Sequence, residues 1–248
     1  MPKFKIKILK SPNYSKKKRK LSKIKYLIIH YTGMQSERVS IDRLLNKQHK
    51  VSCHYLISRN GNIIQMVNDD NVAWHAGKSK WKKVTNLNED SIGIELVNKG
   101  HSLGYENFSK KQIKILINLC LYLKKKYKIN KLNILGHSDI APLRKKDPGE
   151  KFPWKYLSKN KIGLWHTLKK HELIKNRKFK INKVEKELFF NNLFTIGYSK
   201  KIPKDLNKDR YLRYITKAFQ RRFRQELIDG KIDRESLLIS KNLLKKFN

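Results

Sequence analysis

The chain has 248 residues, 39% of them hydrophobic, which is enough for one sizeable domain with a small one beside it and too apolar for disorder throughout. Its formal net charge of +39 comes from 59 Lys and Arg against 20 Asp and Glu. The excess runs along the whole chain, so it favours compositional lysine richness over a dedicated nucleic-acid stripe, although such a chain should cling to anionic polymers at low salt.

Residues 1–22 read as a basic N-terminal arm, with KKKRK (16–20) as a solvated patch. No uninterrupted apolar segment or small-residue cleavage site follows, so no export signal is expected in the chain as written. No apolar run reaches membrane-spanning length, so no transmembrane segment is expected. KYLIIHYT (25–32) is a continuous run of β-formers and predicts a central strand. HYLISRNGNIIQMV (54–67) predicts a hairpin turning on Asn60-Gly61, a pair suited to the positive φ angles of a type I′ turn. SIGIELV (91–97) predicts another strand.

Ser109 with Gln112 three residues on predicts a capping box, and the helix it opens shows one apolar face: Ile113, Leu116, Cys120, Leu123 and Tyr127. KLNILGH (131–137) predicts a short strand ending at His137. Together these elements predict an α/β (α+β) domain over 23–165, a mixed central β-sheet flanked by helices. Residues 166–180 are basic without a strand pattern and suit a linker. Over 181–248 three amphipathic patterns predict a small helical module, the middle one carried by Leu212, Ile215, Phe219 and Phe223. Cys53 and Cys120 share no CxxC spacing, so neither a redox motif nor a thiolate metal site is indicated, and both are expected as buried free thiols.

The stretch LGHSDIAPLRKKDPG (135–149) carries the chemistry. His30 and His137 each end an apolar strand, and Asp147 sits in a turn-rich loop that can fold back over the same sheet rim. Two imidazoles and a carboxylate make a three-ligand site with a fourth position open to water, the arrangement of a catalytic zinc. Each histidine read alone is an ordinary buried residue at a strand end, and spacing leaves both readings open.

Seven segments, in order, resemble the zinc-dependent N-acetylmuramoyl-L-alanine amidases of the amidase-2 type, related to peptidoglycan recognition proteins. They are IIHYTG (28–33), HYLISRNG (54–61), AWHAG (73–77), SIGIELVN (91–98), GHSDIAP (136–142), RKKDPG (144–149) and FPW (152–154), and they span nearly all of 25–165. The resemblance implies that His30, His137 and Asp147 are zinc ligands. It implies that Glu95 takes the proton of the attacking water and passes it to the leaving amine, and that Lys145 stabilises the oxyanion. Trp74 and His75 match a groove-lining segment, the one offering an apolar face and the other a hydrogen-bond donor. Arg144 is placed to pair with a stem-peptide carboxylate or to brace its loop, while Lys146 reads as a solvated charge.

Some relatives carry a catalytic tyrosine where this chain has Cys53 and lack the glutamate at the position of Glu95. The chain therefore resembles the glutamate-dependent branch, with Cys53 packing rather than reacting; His54 stays unassigned. AFQRRFRQELIDGKID (218–233) resembles the peptidoglycan-binding domain type 1, whose role would be to hold the catalytic domain on its polymer. The implied function is hydrolysis of the amide between N-acetylmuramic acid and L-alanine in peptidoglycan or muropeptides. The alternative is a non-catalytic peptidoglycan-binding or sensing protein. No specific nucleic-acid partner is expected, and a monomer is. A polymer-binding module points to the bacterial cell envelope (periplasm), whereas the missing signal points to the cytoplasm.

Overall fold

The computed structural model describes residues 5–247; residues 1–4 of the expected arm, and residue 248, lie outside the described residues. The elements begin with β1 (Ile6–Ile8), β2 (Tyr14–Ser15), β3 (Tyr26–Tyr31), α1 (Glu37–Leu45), β4 (Tyr55–Ile57) and β5 (Ile63–Gln65). Then come β6 (Val72–Ala73), β7 (Lys80–Trp81), β8 (Val84–Thr85), β9 (Ser91–Leu96), α2 (Lys110–Lys126) and β10 (Ile134–Gly136). The remainder is helical: α3 (His137–Ile140), α4 (Trp154–Lys159), α5 (Lys170–Arg177), α6 (Lys183–Ile196), α7 (Lys208–Phe223) and α8 (Arg234–Leu244).

Six strands form one mixed sheet in the order β1-β5-β4-β9-β3-β10, with only the β4–β5 pair antiparallel. The inner strands β3 and β9 are buried almost throughout, which is why their sequences are unbroken apolar runs and not alternating ones. Successive side chains of β3 go to opposite faces. Leu27 and Ile29 pack with Ile113, Leu116, Cys120 and Leu123 of α2. Tyr26 and Ile28 pack, with Leu135, into a cluster that includes Phe189, Ile215, Phe219 and Leu237 of the C-terminal helices. Those helices therefore share one apolar core with the sheet. The tie is also polar: Arg222 of α7 pairs with the buried Asp139 of α3, and the Tyr198 hydroxyl donates to Asp139 Oδ1 (2.9 Å).

Several local expectations are corrected. The stretch read as an arm is knitted into the fold: β1 extends the sheet and β2 pairs with β6. Arg19 of the KKKRK patch is buried, its guanidinium donating to the carbonyls of Asp69, Asn88, Glu89 and Ser91. The stretch read as a linker contains α5, with Leu173 buried and Arg177 paired to Glu226 and Glu235. At the hairpin only Gly61 takes positive φ (81°), so the turn is not type I′; Ser58 and Gly61 close it (3.0 Å). Ser109 does cap α2, accepting from Gln112 N (3.1 Å). The Gln112 side chain does not return the bond; it donates to the carbonyls of Ile57 and Val97 and so ties α2 to the sheet.

Candidate active site

Strand register sets the site. In the parallel set β10–β3–β9, Gly136 lies opposite Ile29, and His30 lies opposite Glu95. His137, the residue after Gly136, is the first of α3 and not a strand end, yet it stands level with His30. Ligands and a carboxylate thus meet at the carboxyl end of parallel strands, where open sheets place their binding crevices.

The hydrogen-bond network assigns the proton positions of both histidines. His137 Nε2 faces the Ala76 carbonyl (3.1 Å), which can only accept, so the proton sits on Nε2. For His30 a longer chain leads to the same result. Ser91 Oγ donates to the Leu87 carbonyl (2.5 Å) and therefore accepts from His75 Nε2 (3.1 Å). His75 Nδ1 is then a bare acceptor, and His30 Nε2–H donates to it (3.0 Å).

Both Nδ1 atoms consequently point inward, and there they meet Asp147 Oδ2. The three atoms form a triangle: His30 to His137 at 2.9 Å, His30 to Asp147 at 3.1 Å and His137 to Asp147 at 3.0 Å. Burial, with His137 beside it, pushes the His30 pKa down to about 4, so the ring is neutral at ordinary pH. Burial would raise the Asp147 carboxyl, but His137 and His30 hold it far below the carboxylate range. Two imidazole nitrogens and a carboxylate oxygen converging in this way can hold a cation.

The triangle opens into a cleft of about 410 Å³ whose walls include Trp74, Glu95, His101 and Lys145. Glu95 Oε2 is buried without a hydrogen-bond partner. Burial, then the negative charge of Asp147, pushes the Glu95 carboxyl up to about 8. Trp74 is half-buried and donates from Nε1 to Ser15 Oγ (3.3 Å), leaving its ring on the cleft wall.

Two expected substrate-binding residues line the cleft but are engaged within the protein. His75 is buried and both ring nitrogens are engaged, so it has no donor left for a ligand; it orients His30 instead. Gly93 makes room for it, since a Cβ at 93 would stand 2.4 Å from the His75 ring. Arg144 spends its guanidinium on carbonyls, Nη2 to Ala76 and Lys78 and Nε to Lys78 (3.2 Å), which braces the loop over the ligands. His54 is buried and accepts from Gly93 N–H (3.0 Å), a structural role. Cys53 is buried and its thiol is pushed well up by burial, which suits packing. Sequence reading passed over Ser91, which fixes His75, and His101, whose ring links the Tyr31 hydroxyl (2.7 Å) to Glu150 (3.0 Å) beside the cleft. A serine in a strand and a lone loop histidine carry no motif.

The model of the family described as N-acetylmuramoyl-L-alanine amidase matches residues 20–150. N-acetylmuramoyl-L-alanine amidase AmiD of Escherichia coli is 37% identical over 237 residues, covering 91% of this chain and 84% of that one. The 1,6-anhydro-N-acetylmuramyl-L-alanine amidase AmpD of Haemophilus influenzae is 36% identical over 169 residues, 60% of this chain and 89% of its own. The AmiD structure in complex with anhydro-N-acetylmuramic acid-L-Ala-D-gamma-Glu-L-Lys superposes with a TM-score of 0.78 at 33% identity, covering 94% and 92% of the two chains. AmpDh3 of Pseudomonas aeruginosa, in complex with anhydromuramic pentapeptide, gives a TM-score of 0.78 at 29% identity over 96% and 98%.

Proposed function

Since the chain belongs to the N-acetylmuramoyl-L-alanine amidase family, we propose that it hydrolyses the amide between N-acetylmuramic acid and L-alanine with a zinc ion held by His30, His137 and Asp147. The observation that supports this reading is the triangle of two imidazole Nδ1 atoms and one carboxylate oxygen, the two rings turned inward by hydrogen bonds at their Nε2 atoms. A zinc ion held there would polarise the scissile carbonyl and make water a better nucleophile. Glu95, across one strand spacing from His30, accepts the proton of the attacking water and delivers it to the leaving amine. Lys145 lines the same cleft and supports the oxyanion. Trp74 offers its ring to the sugar or peptide.

The substrate class is a muropeptide. The ligand in the AmiD complex contains a γ-linked glutamate, a linkage that leaves the α-carboxyl of that residue free. For the C-terminal helices, the reading as a polymer-holding module rests on AFQ…DGKID. Its polar residues hold its own turn: Gln220 Nε2 donates to Asp229 Oδ1 (3.1 Å) and Gln220 Oε1 accepts from Gly230 N (2.8 Å). Gly230 takes the positive φ (76°) the turn requires. Polymer contact would then fall to the exposed surface around it. Work on such a polymer belongs at the cell envelope; no helix among the described residues is long and apolar enough to cross a membrane.

The test is digestion of defined muropeptides by the full chain, with products read by mass spectrometry, before and after chelation and after zinc is restored. Free stem peptide is expected from the zinc-loaded protein alone. Absence of that product from zinc-loaded protein would sink the reading. A second expectation concerns His75. His75→Ala removes the acceptor that fixes the His30 ring, so zinc affinity should fall by about 10- to 100-fold. Competition with a chromophoric chelator measures it, and unchanged affinity would mean the His30 ring is held by packing alone.

A further inference from the structure

A second groove, of about 490 Å³, adjoins the cleft and runs between the loop carrying Asp147 and helix α7. Its walls include Lys145, Lys146 and His101, which also line the cleft, so the two are continuous. Lys217 and Arg221 of α7 supply the opposite wall, and Leu143 and Tyr214 supply apolar surface. Arg221 is the unusual member. Its side chain is 10% exposed, its Nε finds no hydrogen-bond partner, and the carboxylate it lies near, Glu150, is 3.9 Å away. Glu150 itself is taken by His101 at 3.0 Å. A guanidinium so far out of water is costly unless an anion meets it, and a planar fork matches a carboxylate. The neighbouring lysines add positive charge.

We infer that this groove is a carboxylate subsite, in which Arg221 receives the free α-carboxylate of the γ-linked glutamate of the stem peptide. The inference rests on the amidase reading above for its substrate. The scissile amide lies at the N-terminus of L-alanine, and the glutamate is the next residue, so the peptide leaves the cleft along the shared wall of Lys145 and Lys146. The C-terminal helices are then part of the substrate-binding surface: α7 reads the peptide while the sheet holds the reacting bond.

The test compares two synthetic muropeptides that differ at one group, the glutamate α-carboxylate or its carboxamide. It also compares the two corresponding free tripeptides, L-Ala-γ-D-Glu-L-Lys and its carboxamide, in equilibrium binding to the full chain. The wild type should prefer the carboxylate form by about 10- to 100-fold in kcat/KM and in tripeptide affinity. Arg221→Gln should erase that preference in both kcat/KM and tripeptide affinity. Lys217→Ala, at a half-buried lysine of the opposite wall, should weaken the carboxylate form by about two- to fivefold. Equal binding of both tripeptides by the wild type overturns the subsite, as does a wild-type ratio retained in both variants. Tripeptide binding involves no bond cleavage. A protein that discriminates the tripeptides but cuts neither muropeptide would keep the subsite and refute the amidase reading.

Discussion

Glu95→Gln is expected to lower kcat by about 10²- to 10⁴-fold while leaving the bound zinc in place. The substitution keeps the shape and removes only the ability to take a proton. Glu95 does not belong to the ligand triangle, so the metal content measured by atomic absorption should stay at the wild-type value. The pH profile carries a separate signature. Burial, with Asp147 near, holds the Glu95 carboxyl up at about 8 in the metal-free protein. A cation at the triangle offsets the Asp147 charge, so the working pKa should be lower. A general base acts when deprotonated, so wild-type kcat/KM should rise with pH through that value. The residual activity of Glu95→Gln should lack that rise. A variant with wild-type kcat would remove Glu95 from the chemistry and leave it a buried strand carboxylate.

Arg222→Met is expected to destabilise the protein by about 3–5 kcal/mol, because it strands the buried Asp139 carboxylate. The two side chains are 3% and 1% exposed, so the carboxylate is shielded from solvent. Arg222 also donates from Nη2 to the Ile134 carbonyl (3.0 Å) and lies 4.3 Å over the Trp154 ring. For a chain of this size the cost corresponds to a Tm lower by roughly 6–20 °C. Adding Asp139→Asn should restore much of it, since the remaining group is then neutral. A double variant no more stable than Arg222→Met would show that Arg222 acts through packing on Trp154 alone. Asp139 Oδ2 also accepts from Gly136 N (2.8 Å), at the start of the helix that His137 opens. Loss of the pair should therefore loosen a ligand as well as the fold.

Sequence made the parallel core legible because strands buried on both faces must be apolar throughout, as KYLIIHYT and SIGIELV are. The ligand trio was readable as three residue types at strand ends and in a loop. What made it a site was not. The atoms that orient His30 and His137 include the carbonyls of Leu87 and Ala76, and a carbonyl leaves no trace in residue identity. His75 was read as groove-lining from the resemblance of AWHAG to a family segment; its partner Ser91 is 16 residues away and adjacent only in the folded chain. Arg19 looked solvated among lysines, yet the carbonyls of Asp69, Asn88, Glu89 and Ser91 surround it. Arg221 likewise disappears in a run of basic residues until α7 is laid against the Asp147 loop.

Because Ile28 and Leu135 of the sheet pack into the same cluster as Phe189 and Phe219, the C-terminal helices cannot swing on a tether. Anything they grip sits at a constant offset from the bond being cut. On a long repeating polymer, successive cuts would then be spaced by that offset and by the polymer's own repeat, and the length of a flexible leash would play no part.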